Sequence, residues 1–276
     1  MNNIRIGRRT YDLDEETLVM GILNVTPDSF SDGGRFNDVS RAVEHAGQMV
    51  ADGASIIDIG GESTRPGHEP VSEQEEIERI VPIIREVRKE VSVPISIDTY
   101  KAEVARQAIE AGADIINDVW GAKRDPRIAE VAATCGVPII LMHNREERNY
   151  SSLIEDMKAD LLESVEIARG KGVPESDIIL DPGIGFAKTM QDNMVAMRHL
   201  KEFKELGYPL LLGSSRKRFI GTVLNTETED RMEGTGATVC FGITQGVGIV
   251  RVHDVKEIVR MTKMMDAMMG RGEWNG

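Results

Sequence analysis

Short apolar runs that end abruptly on polar or charged residues recur about eight times along this chain, and each is followed by a stretch with helical spacing. The runs fall at 18–23, 55–59, 94–97, 114–116, 137–142, 178–180, 210–212 and 249–252. They close in turn on Asn24, on the 60–67 loop, on Asp98, Asn117, His143 and Asp181, on the 213–217 turn and on His253. The helical stretches are expected at 39–52, 73–90, 101–111, 126–135, 151–169, 191–206, 231–244 and 254–268. Ser72 followed by Glu75 has the spacing of a capping box at the start of the second. Residues 1–17 read as a hairpin-like lead-in that caps the bottom of the fold.

Strands alternating with helices in this way predict an α/β protein, a single parallel (β/α)8 TIM barrel forming one domain over residues 1–276. A doubly wound open sheet uses the same alternation. The number of repeats favours the barrel, as does the lack of a Gly-x-Gly-x-x-Gly after the first run. In a barrel the carboxyl ends of the strands share one mouth, where chemistry is done. Asn24, Thr64, Asp98, Asn117, Met142, Asp181, Lys217, Arg251 and His253 would then surround one opening.

Composition narrows what that opening can do. The formal net charge is −13, which disfavours nucleic acid and anionic membranes as partners. Any anionic ligand must be met by local cations. Cys135 and Cys240, the only cysteines, are read as two buried, unpaired thiols of a cytoplasmic protein. No apolar run is long enough to span a bilayer, and the N-terminus lacks a signal-peptide core.

Arg251 and His253 are two apart on one strand and point to the same side, which suits an anion; the alternative is a structural Arg–Asp pair. Asn24 would cap its strand or ligate a Mg²⁺ whose other ligands come from phosphate oxygens. Asp98, Asn117 and Asp181 offer mainly acceptors, and Lys217 a donor. Such a set suits a flat heterocycle presenting an amino group beside a ring N–H and a carbonyl. No zinc spacing, P-loop or nucleophilic triad is legible, so the mouth reads as a binding and electrostatic site.

Seven motifs carry a family resemblance. MGILNVTPDSFSDGG at 20–34 and GGESTRPG at 60–67 resemble the two signatures of the dihydropteroate synthase family. SIDT at 96–99, IND at 116–118, DPGIGF at 181–186, SRK at 215–217 and RVH at 251–253 match it too, in order, and the wording is most similar to the enzymes of Bacillus-like bacteria. The resemblance implies a cytoplasmic transferase of folate biosynthesis, homodimeric, using Mg²⁺ and targeted by sulfonamides. It would join 6-hydroxymethyl-7,8-dihydropterin diphosphate to 4-aminobenzoate.

By matched position, Asp98, Asn117, Met142, Asp181 and Lys217 would bind the pterin. Asn24, Thr64, Arg251 and His253 would bind the diphosphate, with the metal on Asn24. Pro66, Phe186, Ser215 and Arg218 would shape the aminobenzoate pocket, while Asp32 and Arg65 close over the site. Asp98, Lys217, Asp32 and Arg65 would be the catalytic group. Arg218 departs from the Ser that many members carry at that position. A pterin-dependent methyltransferase would share the heterocycle cage but has no use for the Arg251/His253 pair.

Overall fold

The computed structural model describes residues 3–25, 34–62 and 71–272. Eight parallel strands pair in the order β8-β7-β6-β5-β4-β3-β10-β9. They are β3 (Leu18–Asn24), β4 (Ile56–Gly60), β5 (Ile95–Asp98), β6 (Ile115–Asp118), β7 (Ile139–Met142), β8 (Ile178–Asp181), β9 (Leu211–Leu212) and β10 (Ile249–Val252). A parallel bridge between Leu180 and Leu210 joins the two remaining edges, and the sheet curls into a nearly closed barrel. Parallel strands buried on both faces need continuous apolar runs, which is why their sequences barely alternate.

The alternation is instead between two apolar environments. One set of strand residues, including Val19, Ile57, Ile97, Ile116, Leu141 and Val250, faces the surrounding helices. The other set, Leu18, Met20, Ile56, Ile115, Ile140, Ile179, Leu211 and Ile249, fills the lower barrel together with Ile4, Ile6 and Leu13. Ile4 and Ile6 come from the antiparallel hairpin β1 (Asn3–Ile6) and β2 (Arg9–Asp12), which plugs the bottom as the sequence suggested. The apolar filling stops near mid-height, and polar side chains take over towards the carboxyl ends.

The helices are α1 (Gly34–Ala51), α2 (Glu73–Glu90), α3 (Ala102–Ala111), α4 (Arg127–Cys135), α5 (Leu153–Gly170), α6 (Met190–Arg198), α7 (Leu200–Lys204), α8 (Arg218–Leu224), α9 (Met232–Thr244) and α10 (Val255–Met268). Ser72 caps α2 by accepting from the Glu75 N–H, but Glu75 turns to Arg79, so only half of the box forms. The helix expected at 191–206 is two helices separated at His199, whose imidazole Nδ1 meets the Val195 carbonyl at 2.8 Å. The short α8 was not anticipated. Both cysteines are free thiols, but neither is buried: Cys135 is exposed at the end of α4, past its last packed turn, and Cys240 is half-buried.

Candidate active site

Strand register aligns the polar residues. Asn24 pairs with Gly60, Gly60 with Asp98, and Asp98 with Asn117 across four neighbouring strands. On the far side Met142 pairs with Asp181. Residues in register share a face, so these side chains form one rim at the carboxyl end. Gly60 leaves a gap in it: a Cβ there would sit 3.4 Å from the Asp98 Cβ.

Arg251 occupies the centre. Its Nε donates to Asp58 Oδ2 at 2.6 Å and its Nη2 to Asp98 Oδ2 at 2.6 Å. Two carboxylates therefore share one guanidinium. Asp58, fully buried on β4 one layer below Gly60, also accepts from the Asn117 amide at 3.3 Å. That contact turns the Asn117 NH2 towards Asp58 and leaves its carbonyl oxygen as an acceptor. Asp98 Oδ1 is buried with no hydrogen-bond partner among the described residues. A buried, unpaired carboxylate oxygen carries a desolvation cost that a donor-bearing ligand would relieve.

Burial, reinforced by the neighbouring Asp58 and opposed by Arg251, lifts the Asp98 carboxyl to about 7. Burial likewise lifts Asp181 to about 6, against the Gly183 N–H that donates to its Oδ1 at 2.7 Å and the charge of Lys217. Lys217, at the head of α8, places its Nζ 4.2 Å from the centre of the Phe186 ring. Asp118 faces away from this chemistry: it accepts from the Trp120 and Ala122 N–H groups and shapes the turn after β6.

His253 stands beside Ser215, whose Oγ lies 3.0 Å from Nδ1 and also accepts from the His253 N–H. Burial, then the charges of Arg251 and Arg216, pull its pKa down to about 4, so it is neutral near pH 7. Arg251 forms the Arg–Asp pair that was the alternative to an anion site. Arg218 is exposed at the start of α8 and its guanidinium pairs with no described residue. Asn24 is exposed at the end of β3. Asp32, Thr64, Arg65 and Pro66 lie outside the described residues.

Asp58, His143 and Lys188 belong to this end of the barrel although sequence reasoning gave them no role. Asp58 did leave a signal: it is the only charge inside the run 55–59 and stands two residues before Gly60, on the inward face. Lys188 left none. No group of three or more His, Cys, Asp or Glu among the described residues could hold a metal.

A parallel barrel whose mouth gathers acceptors around a buried arginine is suited to a ligand rich in N–H donors. The family model described as pterin binding enzyme matches residues 20–253. The dihydropteroate synthase of Bacillus subtilis is 64% identical over 258 residues, covering 94% of this chain and 90% of that protein. That of Clostridium beijerinckii is 55% identical over 269 residues, covering 97% and 100%. A crystal structure of the Clostridium difficile dihydropteroate synthase in the presence of pteroic acid superposes with a TM-score of 0.92 at 49% identity, covering 94% of this chain and 98% of that one. The Yersinia pestis enzyme in complex with a sulfonamide drug gives 0.90 at 40%, covering 97% and 99%. The chain belongs to the dihydropteroate synthase family, transferases of folate biosynthesis.

Proposed function

We propose that the mouth condenses 6-hydroxymethyl-7,8-dihydropterin diphosphate with 4-aminobenzoate, giving dihydropteroate and diphosphate. The observation that carries this reading is the acceptor-rich rim: the unpaired Asp98 Oδ1, the Asn117 carbonyl and the Asp181 carboxylate face a ligand that must supply N–H donors. The amino group and ring N–H groups of a pterin supply them, and Lys217 meets the ring carbonyl. Met142, buried at the end of β7 in register with Asp181, is assigned to the wall of that pocket.

The reaction breaks the C–O bond to diphosphate and forms a bond from the amine nitrogen to the same methylene carbon; the amine's proton leaves to solvent. An aromatic amine is neutral at pH 7, so no strong general base is needed. The residues orient the two partners and stabilise charge. Departure of diphosphate ahead of amine attack puts positive charge on the pterin, which ionised Asp98 would stabilise. Arg251 and His253 serve the diphosphate, with Thr64. The Asn24 amide, exposed at the rim, would hold a Mg²⁺ only together with oxygens of the diphosphate itself, since a single neutral amide is a weak ligand. When bound, that ion neutralises the leaving group.

By the family motifs they match, Phe186, Ser215, Pro66 and Arg218 are assigned to 4-aminobenzoate and Asp32 and Arg65 to its enclosure; sulfonamides, which mimic that substrate, would compete there. Exposed Phe241, Met264 and Met268 on α9 and α10 support a homodimer, and the two free thiols support a cytoplasmic location. No helix among the described residues is long and apolar enough to cross a membrane. Mixing the protein with both substrates and Mg²⁺ should release diphosphate in step with dihydropteroate, and much faster than from the pterin substrate alone. Release with the pterin substrate alone at the same rate, or no release at all, would refute the assignment.

A further inference from the structure

A buried polar chain lies beneath the loop that follows β8, and the proposed mechanism does not use it. Lys188 is 7% exposed, yet each of its three ammonium hydrogens has a separate acceptor. These are His143 Nδ1 at 2.9 Å, the Gly183 carbonyl at 3.0 Å and the Phe186 carbonyl at 3.1 Å. The Asp160 carboxylate can only accept, so the proton of the neutral imidazole sits on Nε2, and Nδ1 accepts from Lys188, whose ammonium is pulled down to about 7 by burial. Nε2 then donates to Asp160 Oδ2 at 3.0 Å, and Asp160 is anchored by Arg145 Nε at 2.5 Å. Burial, with the nearby Lys188 charge contributing, holds His143 down at about 4, consistent with this neutral tautomer.

The chain presses one short loop onto the end of β7. Gly183 has φ +64°, and a Cβ there would lie 2.0 Å from the His143 carbonyl oxygen. From the other sides Asn193 Oδ1 accepts from the Gly185 N–H at 2.6 Å, and Tyr150 donates to the Ala187 carbonyl at 2.9 Å. The same loop carries Asp181 at its start and Phe186, under Lys217, at its end. We propose that Lys188 is a positioning residue for the second substrate: its three hydrogen bonds fix the Phe186 backbone, and with it the ring that borders the aminobenzoate pocket. This inference rests on the assignment of Phe186 to that pocket.

Steady-state kinetics on Lys188→Met and Lys188→Arg test it, with each substrate varied in turn. Methionine removes the donors. Arginine keeps the charge but its planar fork cannot serve three acceptors around one atom. Both variants should raise KM for 4-aminobenzoate on the order of tenfold, the scale of a lost buried anchor, and leave KM for the pterin diphosphate within about twofold. If Lys188→Met does not fold, Lys188→Arg carries the measurement. An unchanged KM for 4-aminobenzoate, or an equal rise in both KM values, would overturn the role. Phe186→Ala separates the two readings: if that variant also leaves KM for 4-aminobenzoate unchanged, the pocket assignment itself has failed.

Discussion

At residue scale, the role proposed for Asp98 ties pterin binding to the ionisation of its carboxyl and so predicts a pH dependence. Its carboxyl is lifted by burial to about 7, and the ionised form is the better acceptor for pterin N–H groups. Pterin affinity should therefore increase as pH rises through about 7, and a calorimetric pH series should show this rise in the parent and lose it in Asp98→Asn. Stability runs the other way. Because the folded value lies above that of the unfolded chain, the contribution of Asp98 is fully present at low pH and is lost as pH rises through about 7. Residues of this kind were legible because each ends an apolar strand. Asp58 was overlooked because it sits inside one, and its partners Arg251 and Asn117 are far off in the chain. Lys188 was illegible because only the folded loop brings its three acceptors together.

The loop after β8 shows at element scale how backbone geometry serves the site. Gly183→Ala combines a left-handed backbone with a direct clash on the His143 carbonyl. The cost should be at least about 2 kcal/mol. Gly136 makes a useful contrast, because it has φ +65° at the end of α4 with nothing within 4 Å of an added Cβ. Gly136→Ala should cost only about 1 kcal/mol, the backbone penalty alone. Urea unfolding of the two variants measures the difference. Element boundaries were the least legible part of the text. The spacing over 191–206 continues smoothly through His199, so periodicity alone gives no break there, and α8 is too short to show a period.

At the scale of the whole molecule, the alternation of runs and helices made the barrel legible because parallel pairing requires a crossover helix at every step. The bottom plug was legible too, since Ile4 and Ile6 alternate with polar residues in a strand having one face to bury. What the text could not convey is which outer helices stay uncovered. Val223 on α8, Phe241 on α9 and Met264 on α10 are 55%, 41% and 58% exposed, large apolar side chains on elements that follow one another around the barrel. Covering them in a homodimer predicts that Phe241→Glu combined with Met264→Glu shifts sedimentation from dimer to monomer. A parent protein that sediments as a monomer would contradict that assembly.

In the proposed site, acceptors from separate strands meet around a single pterin. Calorimetric titration of a pterin into the parent, Asp98→Asn and Asp181→Asn proteins tests this most directly. Each substitution should weaken binding by roughly tenfold to a hundredfold, the value of a hydrogen bond to a buried charged group. Affinity equal to the parent in both variants would contradict the account.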